Sequence, residues 1–311
     1  MDLPLPANQI EFESTYPDEA ACREVLFKAR WPNGFRCPRC GHGKCHELHT
    51  RSQIQCGACR HQTSLTAGTL FHSSKLSLFV LFRLIYMLIR EKSGTNMCRL
   101  SRQLGVSRRS VIVWVQKIRG ALLWRDAQKL KGTVEVDEMI LGGKSEGTHG
   151  RELGEHQVLI AVLCEDRGSG PGRARLEVIP NATGEVLTSV VEQNVEPGSD
   201  VRTDGWTSYS RLEELGYRHD VRPLRGDRKR AHVELPRVHL IASLVKRYVD
   251  GLLHGSWWRP WLQSVLDEWV FRFNRRRSRS RVLLFNRVLE VAGKQRPPTR
   301  AALTAAWRVL A

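Results

Sequence analysis

No apolar run in this chain is long enough to cross a bilayer, and acidic residues are too few to balance the basic ones. The most apolar stretch, Leu76 to Ile89, contains Arg83 and falls short of the roughly 20 residues a spanning helix needs, so it reads as a buried helix. The opening text, MDLPLPANQIEFE, lacks the basic start and apolar core of a secretory signal, which points to the cytosol and no membrane partner. Cys22, Cys45, Cys98 and Cys164 show no paired spacing, which in a reducing compartment argues for free thiols and against disulfides. Internal repeats and long low-complexity segments are absent, so neither a solenoid nor an extended disordered tract is indicated.

The acid deficit is the most consequential. With 49 Lys plus Arg against 32 Asp plus Glu, the formal charge is +17, and such a field attracts polyanions whatever the fold, with nucleic acid as the leading partner. A length of 311 residues suits two or three domains better than one core.

The other four cysteines carry the clearest local signal. Cys37, Cys40, Cys56 and Cys59 form C-x2-C, a gap of fifteen residues, and C-x2-C, the spacing of a zinc ribbon. Four thiolates fill every position of a tetrahedral Zn2+, which makes the ion structural. Nearby His42, His46, His49 and His61 read as surface residues.

Around the ribbon the text is helical. Tyr16-Pro17-Asp18 starts a short leader helix that runs to about residue 30. Met97, Leu100 and Leu104, then Gly105-Val106-Ser107, then Val111, Trp114, Val115 and Ile118 read as helix, three-residue turn, helix. That turn fits a helix-turn-helix with Ser107 as N-cap and Arg108, Arg109 and Ser110 facing DNA from the first turn of the second helix. A plain helical hairpin has the same signature; the adjacent ribbon and the net charge favour DNA.

After Lys131 short β-like runs alternate with turns and then with helical text, as in a mixed α/β domain. Asp137 ends the run VEVDE and Asp204 ends VRTDG. Two carboxylates converging from strand ends are best explained by a divalent cation, and a hard Mg2+ or Mn2+ prefers carboxylate oxygens plus substrate phosphates. Either aspartate alone would be an ordinary turn residue. Two basic clusters, Arg222 to Arg230 and Arg272 to Arg281, exceed the usual solvated face. Trp257, Trp258 and Trp261 read as packing residues, and Gly142-Gly143-Lys144 as a tight turn.

Five motifs appear in a characteristic order: RWPNGFRCPRCG (30–41), VEVDEMILGGK (134–144), RTDGWTSY (202–209), PRVHLIASLVKR (236–247) and LDEWVFRFNRR (266–276). Together they resemble the bacterial insertion-sequence transposases that carry an N-terminal zinc ribbon and an RNase H-like DD(N/E/H) catalytic domain, the class related to Merlin elements. The resemblance implies a DNA transposase that binds terminal inverted repeats, hydrolyses a phosphodiester and joins the freed 3′ hydroxyl to target DNA with Mg2+ or Mn2+. It implies double-stranded DNA as partner, a homodimer on DNA, and a nucleoid-associated cytoplasmic location. Asp137 and Asp204 match the first two metal-binding carboxylates, and Lys246 matches a basic residue near the scissile phosphate. With Arg247, Arg272, Arg275 and Arg276 it belongs to the expected DNA-contacting set.

The resemblance also places the third metal-binding position in text resembling S-N-x-K, where this chain has Ser243-Leu244-Val245-Lys246. Leu244 cannot ligate a metal. Glu138, Glu234 and His239 are the residues left to supply a third ligand, and the alternative function is a catalytically impaired DNA-binding remnant or regulator. A zinc-ribbon transcription factor with an unrelated α/β ligand domain is a further rival, which requires Asp137 and Asp204 to lie far apart. The expected division is a leader (1–31), zinc ribbon (32–72), helical region with helix-turn-helix (73–125), RNase H-like mixed α/β domain (126–290) and C-terminal tail (291–311).

Overall fold

The computed structural model describes residues 6–48, 53–91, 94–123, 128–142, 157–222, 232–253, 259–278 and 282–294. The chain divides into two compact units, Met1–Leu122 with Ser278–Thr299 and Leu123–Arg277 with Arg300–Ala311. Lys144, Trp257, Trp258 and the basic residues from 225 to 230 lie outside the described residues.

The first unit opens with two helices, α1 (Gln9–Thr15) and α2 (Glu19–Arg30), where the sequence suggests one. Pro17 offers no backbone N–H to continue α1, and the Asp18 carboxylate instead accepts the Ala21 N–H at 2.9 Å and starts α2. Next come three short antiparallel strands, β1 (Cys45–Leu48), β2 (Gln53–Cys56) and β3 (Gln62–Ser64), with β2 in the middle. The apolar run becomes α3 (Leu78–Arg90), capped by Ser77 and buried along most of its length.

Helices α4 (Met97–Leu104) and α5 (Arg108–Leu123) follow the expected pattern, joined by three residues. Gly105 closes α4 with φ 64°, a left-handed conformation that glycine adopts without a Cβ clash. Ser107 then accepts the Ser110 N–H at 3.1 Å and caps α5. Val111, Trp114, Val115 and Ile118 are buried, so the apolar stripe faces the unit's core, while Arg108 and Arg109 are exposed.

The second unit is built on one mixed sheet of β4 (Thr133–Leu141), β5 (Val158–Asp166), β6 (Pro171–Ile179), β7 (Asp200–Thr203) and β8 (Arg218–Val221), in the order β6-β5-β4-β7-β8. The first three strands pair antiparallel, whereas β4–β7 and β7–β8 are parallel. β5 lies between β6 and β4 and is buried on both faces, which explains its unbroken VLIAVLC text. One face packs α6 (Gly184–Asn194) through Val134, Val136, Leu187, Val191 and Tyr209. The opposite face carries α7 (Pro236–Leu253) and α8 (Arg259–Asn274) over Met139, Leu141, Ile160 and Val162. A mixed sheet with helices on both faces is the expected RNase H-like α/β domain.

The last described helix, α9 (Val282–Lys294), returns to the first unit. Phe285 packs within about 6 Å of the Phe12, Tyr16, Phe82 and Tyr86 rings, and the Ala292 carbonyl accepts the Leu70 N–H at 2.8 Å. Phe285, Val288, Leu289 and Ala292 form one buried helical face, so α9 contributes to the core of the first unit.

One glycine makes a tight strand approach. A Cβ on Gly172 in β6 would lie 2.6 Å from the Cβ of Glu165, whose carboxylate is held by the Arg173 guanidinium at 2.6 Å. Gly172→Ala is therefore expected to lower second-unit stability by about 1 to 3 kcal/mol, read as a shifted urea midpoint with unchanged slope.

Candidate metal centres

The zinc ribbon is built from two matching turns. Cys37 and Cys56 each donate a backbone N–H to the carbonyl five residues on, of His42 at 3.0 Å and His61 at 2.9 Å. Each also accepts at its own carbonyl the N–H four residues on, from Gly41 and Arg60, and both of those residues have positive φ, 73° and 55°. The repeat aims four sulfurs at one point: all four Sγ atoms lie within 4.8 Å of one another, and Cys37–Cys59 and Cys40–Cys56 are each 3.6 Å apart. A tetrahedron with Zn–S bonds of about 2.3 Å has edges of about 3.8 Å, so the thiols fit one structural zinc ion. Among the described residues no other group of three or more His, Cys, Asp or Glu is gathered so tightly.

The second centre arises from strand register. In the parallel β4–β7 pair Thr133 faces Asp200, Val134 faces Val201 and Glu135 faces Arg202. Continued two steps, one residue past the end of β7 at Thr203, the same register carries Asp204 towards Asp137. Alternation decides the face. Val134 and Val136 point towards α6, so Asp137 joins Glu135 and Met139 on the α7 side, and Asp204 follows Arg202 there. Both carboxylates add to the burial that raises the Tyr209 pKa. Each carboxylate is oriented locally, Asp137 Oδ1 accepting the Glu138 N–H at 2.8 Å and Asp204 Oδ1 the Trp206 N–H at 3.0 Å.

Across from them α7 presents His239. Its Nε2 lies 3.7 Å from Asp137 Oδ2 and, although buried, has no hydrogen-bond partner. Burial, with the positive fields of His232 and Lys246, lowers the imidazole pKa against the opposing pull of Asp204. Neutral imidazole with a free ring nitrogen beside a carboxylate is a ready metal ligand.

The other two suggested ligands are engaged elsewhere. Glu138 points to the opposite face, where Oε1 accepts the Tyr209 hydroxyl at 2.7 Å, and Glu234 lies 3.9 Å from Arg222.

Leu244 lies on another part of the α7 surface. It packs against the apolar cluster beneath α7, and five residues along a helix turn it about 140° away from His239. The α7 side chain that meets Asp137 is that of His239. Leu252 and Leu253 join the same cluster. The spacing that reveals His239 is its seven-residue distance to Lys246, nearly two turns, which puts both on one face of α7.

Lys246 and Arg247 are exposed on α7, as a DNA-contacting role requires. The α8 arginines differ from expectation. Arg272 pairs with Glu268, which is 1% exposed. Arg275 stacks over Phe271 at 4.0 Å and donates to the Phe271 carbonyl. Arg276 covers Phe273 at 3.8 Å and donates to the carbonyls of Gly172 and Pro171, tying α8 to β6. In the other cluster Arg222 pairs with Asp220 at 2.8 Å.

Two family models match the chain: the ISXO2-like transposase domain over residues 129–274 and the transposase zinc-ribbon domain over 17–62. The chain belongs to the insertion-sequence transposases. The transposase matches no curated protein. Among solved structures it is similar to the Mos1 transposase paired-end complex with left transposon end (15% identity, 69% of this chain and 79% of that chain, TM-score 0.26). The Mos1 strand transfer complex (15%, 66% and 78%, TM-score 0.22) and a pre-cleavage Mos1 transpososome (14%, 67% and 76%, TM-score 0.23) are comparable. At these scores the superpositions establish no shared architecture. No helix among the described residues is long and apolar enough to cross a membrane.

Proposed function

We propose that this transposase binds double-stranded DNA at the terminal inverted repeats of its element and catalyses phosphodiester hydrolysis and strand transfer at a centre formed by Asp137, Asp204 and His239. The observation that carries this reading is the buried, unpartnered His239 Nε2 facing Asp137. Asp137 and Asp204 supply carboxylate oxygens and His239 a neutral ring nitrogen, a donor set suited to Mg2+ or Mn2+. A divalent ion held there would supply Lewis acidity to the scissile phosphodiester. Lys246, nearly two turns along the same helix face, places an ammonium group to hold a phosphate oxygen, and Arg247 extends the charge along the strand path. Catalysis here rests on positioning and charge, without a covalent enzyme intermediate.

Recognition of the element ends falls to the first unit. The exposed Arg108 and Arg109, with Ser110, open α5, where backbone N–H groups and positive side chains coincide. Arg108→Ala and Arg109→Ala are each expected to reduce the slope of log affinity against log salt by about 0.9, one phosphate contact apiece. Fluorescence anisotropy on end DNA across a salt series reads this directly. Two ends must be held at once, so a dimer assembled on DNA completes the reading.

The impaired-remnant alternative draws its support from Leu244; that residue is half-buried against the apolar cluster under α7, and His239 beside Asp137 supports the enzymatic reading instead. Supercoiled plasmid bearing the element ends, incubated with Mg2+ or Mn2+, tests the enzymatic reading. Cleavage and joining are expected, and tight binding with neither product would refute it.

A further inference from the structure

Helix α7 begins without a cap of its own. Leu235 precedes it, buried and with no side-chain oxygen, and Pro236 opens the first turn with no N–H to satisfy. The next two N–H groups, of Arg237 and Val238, are orphans of the kind every helix start leaves. Both are taken by Glu135 Oε2, at 2.7 and 3.0 Å, from strand β4 on the far side of the apolar layer. Glu135 is 0% exposed, and its Oε1 has no hydrogen-bond partner. A carboxyl buried this deeply is costly to keep for stability alone.

What the cost secures is geometry. Glu135 stands two residues before Asp137 on the same face of the same strand, and His239 follows Val238 directly on the same helix. The link from Glu135 to Val238 and the contact from Asp137 to His239 are thus neighbouring rungs between one strand and one helix. A second fastening prevents α7 from pivoting about the first. Arg237 Nε donates to Asp166 Oδ1 at 2.9 Å, and Nη2 donates to the Gly168 carbonyl at 2.7 Å. Asp166 in turn pairs with Arg202 at 3.2 Å, beside Glu135 in the strand register.

We propose that Glu135 is a positioning residue for the metal centre: by capping α7 from the sheet it fixes the helix's axial position and rotation, and so holds His239 Nε2 against Asp137. This rests on the reading of His239 as third ligand.

The test is calorimetric titration of Mn2+ into the full-length, zinc-loaded protein, with thermal melts of every variant. His239→Ala controls for the underlying reading. Glu135→Ala, with no acceptor, and Glu135→Asp, too short to reach both N–H groups, are each expected to weaken Mn2+ affinity by about tenfold or more, the usual effect of losing a group that orients a ligand. Glu135→Gln retains a carbonyl oxygen and is expected to stay within about threefold of wild type, a rescue that a requirement for charge would not give. In parallel, Mn2+ should broaden the His239 imidazole NMR signals in wild type and in Glu135→Gln, but far less in Glu135→Asp.

Folded Glu135→Ala and Glu135→Asp proteins with wild-type Mn2+ affinity would overturn the proposal. Failure of both to fold would also overturn it, since Glu135 would then serve stability. If His239→Ala binds Mn2+ as wild type does, the metal-centre reading fails first and the role of Glu135 falls with it.

Discussion

Replacing His239 with alanine is expected to cut strand cleavage by more than about 100-fold while leaving end-DNA binding intact. The magnitude follows from ligand loss: disturbing groups that merely orient a ligand already costs 10- to 100-fold, so removing the ligand should cost more. His239→Glu and His239→Asn each return an oxygen donor to the same helix face and should recover part of the rate. Position 244 provides the contrast. If Leu244 were the lesion, Leu244→Asn would restore or raise activity; because Leu244 packs into the apolar cluster under α7, the substitution should yield no gain and a lower melting temperature, its polar amide being buried without a partner. Cleavage of labelled end DNA under single-turnover conditions separates the two cases. A strong gain from Leu244→Asn, or full activity in His239→Ala, would reverse the assignment.

Removing zinc should have the other large effect, on a different property. Binding to such sites contributes about 10 to 16 kcal/mol to folding, more than a ribbon of three short strands could replace from its own core. One zinc per chain is expected by elemental analysis. Cys56→Ser, or a strong chelator, should unfold the ribbon and abolish end-DNA binding. Second-unit stability should change little, because its two core clusters contain no ribbon residue. Hydrogen exchange would show loss of protection across residues 37–64 with β4 and β5 still protected. Retained ribbon protection without zinc would contradict the structural role of the ion.

These two centres differ in how readable they were. The zinc site is legible because each C-x2-C turn is made by consecutive residues, and the turns sit close enough in the chain for spacing to imply geometry. Asp137 and Asp204 were legible as a pair of carboxylates on two strands; Asp204 does follow the end of β7, whereas Asp137 lies in the middle of β4, which runs on to Leu141. His239 was not legible. Its sequence surroundings, V-H-L-I, look like any helix interior, and the resemblance drew attention to the text just before Lys246. The arginines near the end of α8 make contacts within their unit that the sequence did not announce. Their density reads as a DNA-binding face, yet Glu268 and the β6 carbonyls, the latter a hundred residues away in the chain, absorb Arg272 and Arg276. The α4–turn–α5 arrangement was readable to the residue because Gly105 and Ser107 act locally, through a left-handed turn and a cap.

The sequence by itself determined the basic charge, the cysteine tetrad, the helix-turn-helix pattern and the two strand aspartates, since each depends on neighbours along the chain or on composition. Only the tertiary structure decided which face of α7 meets those aspartates. A helix has the same sequence whichever way it is rotated, and here the rotation comes from contacts to distant residues: Glu135 and Asp166 gripping its first turn, and Leu244 and Val245 sinking into the apolar layer. That rotation brings His239 to Asp137 and sets Leu244 against the apolar cluster.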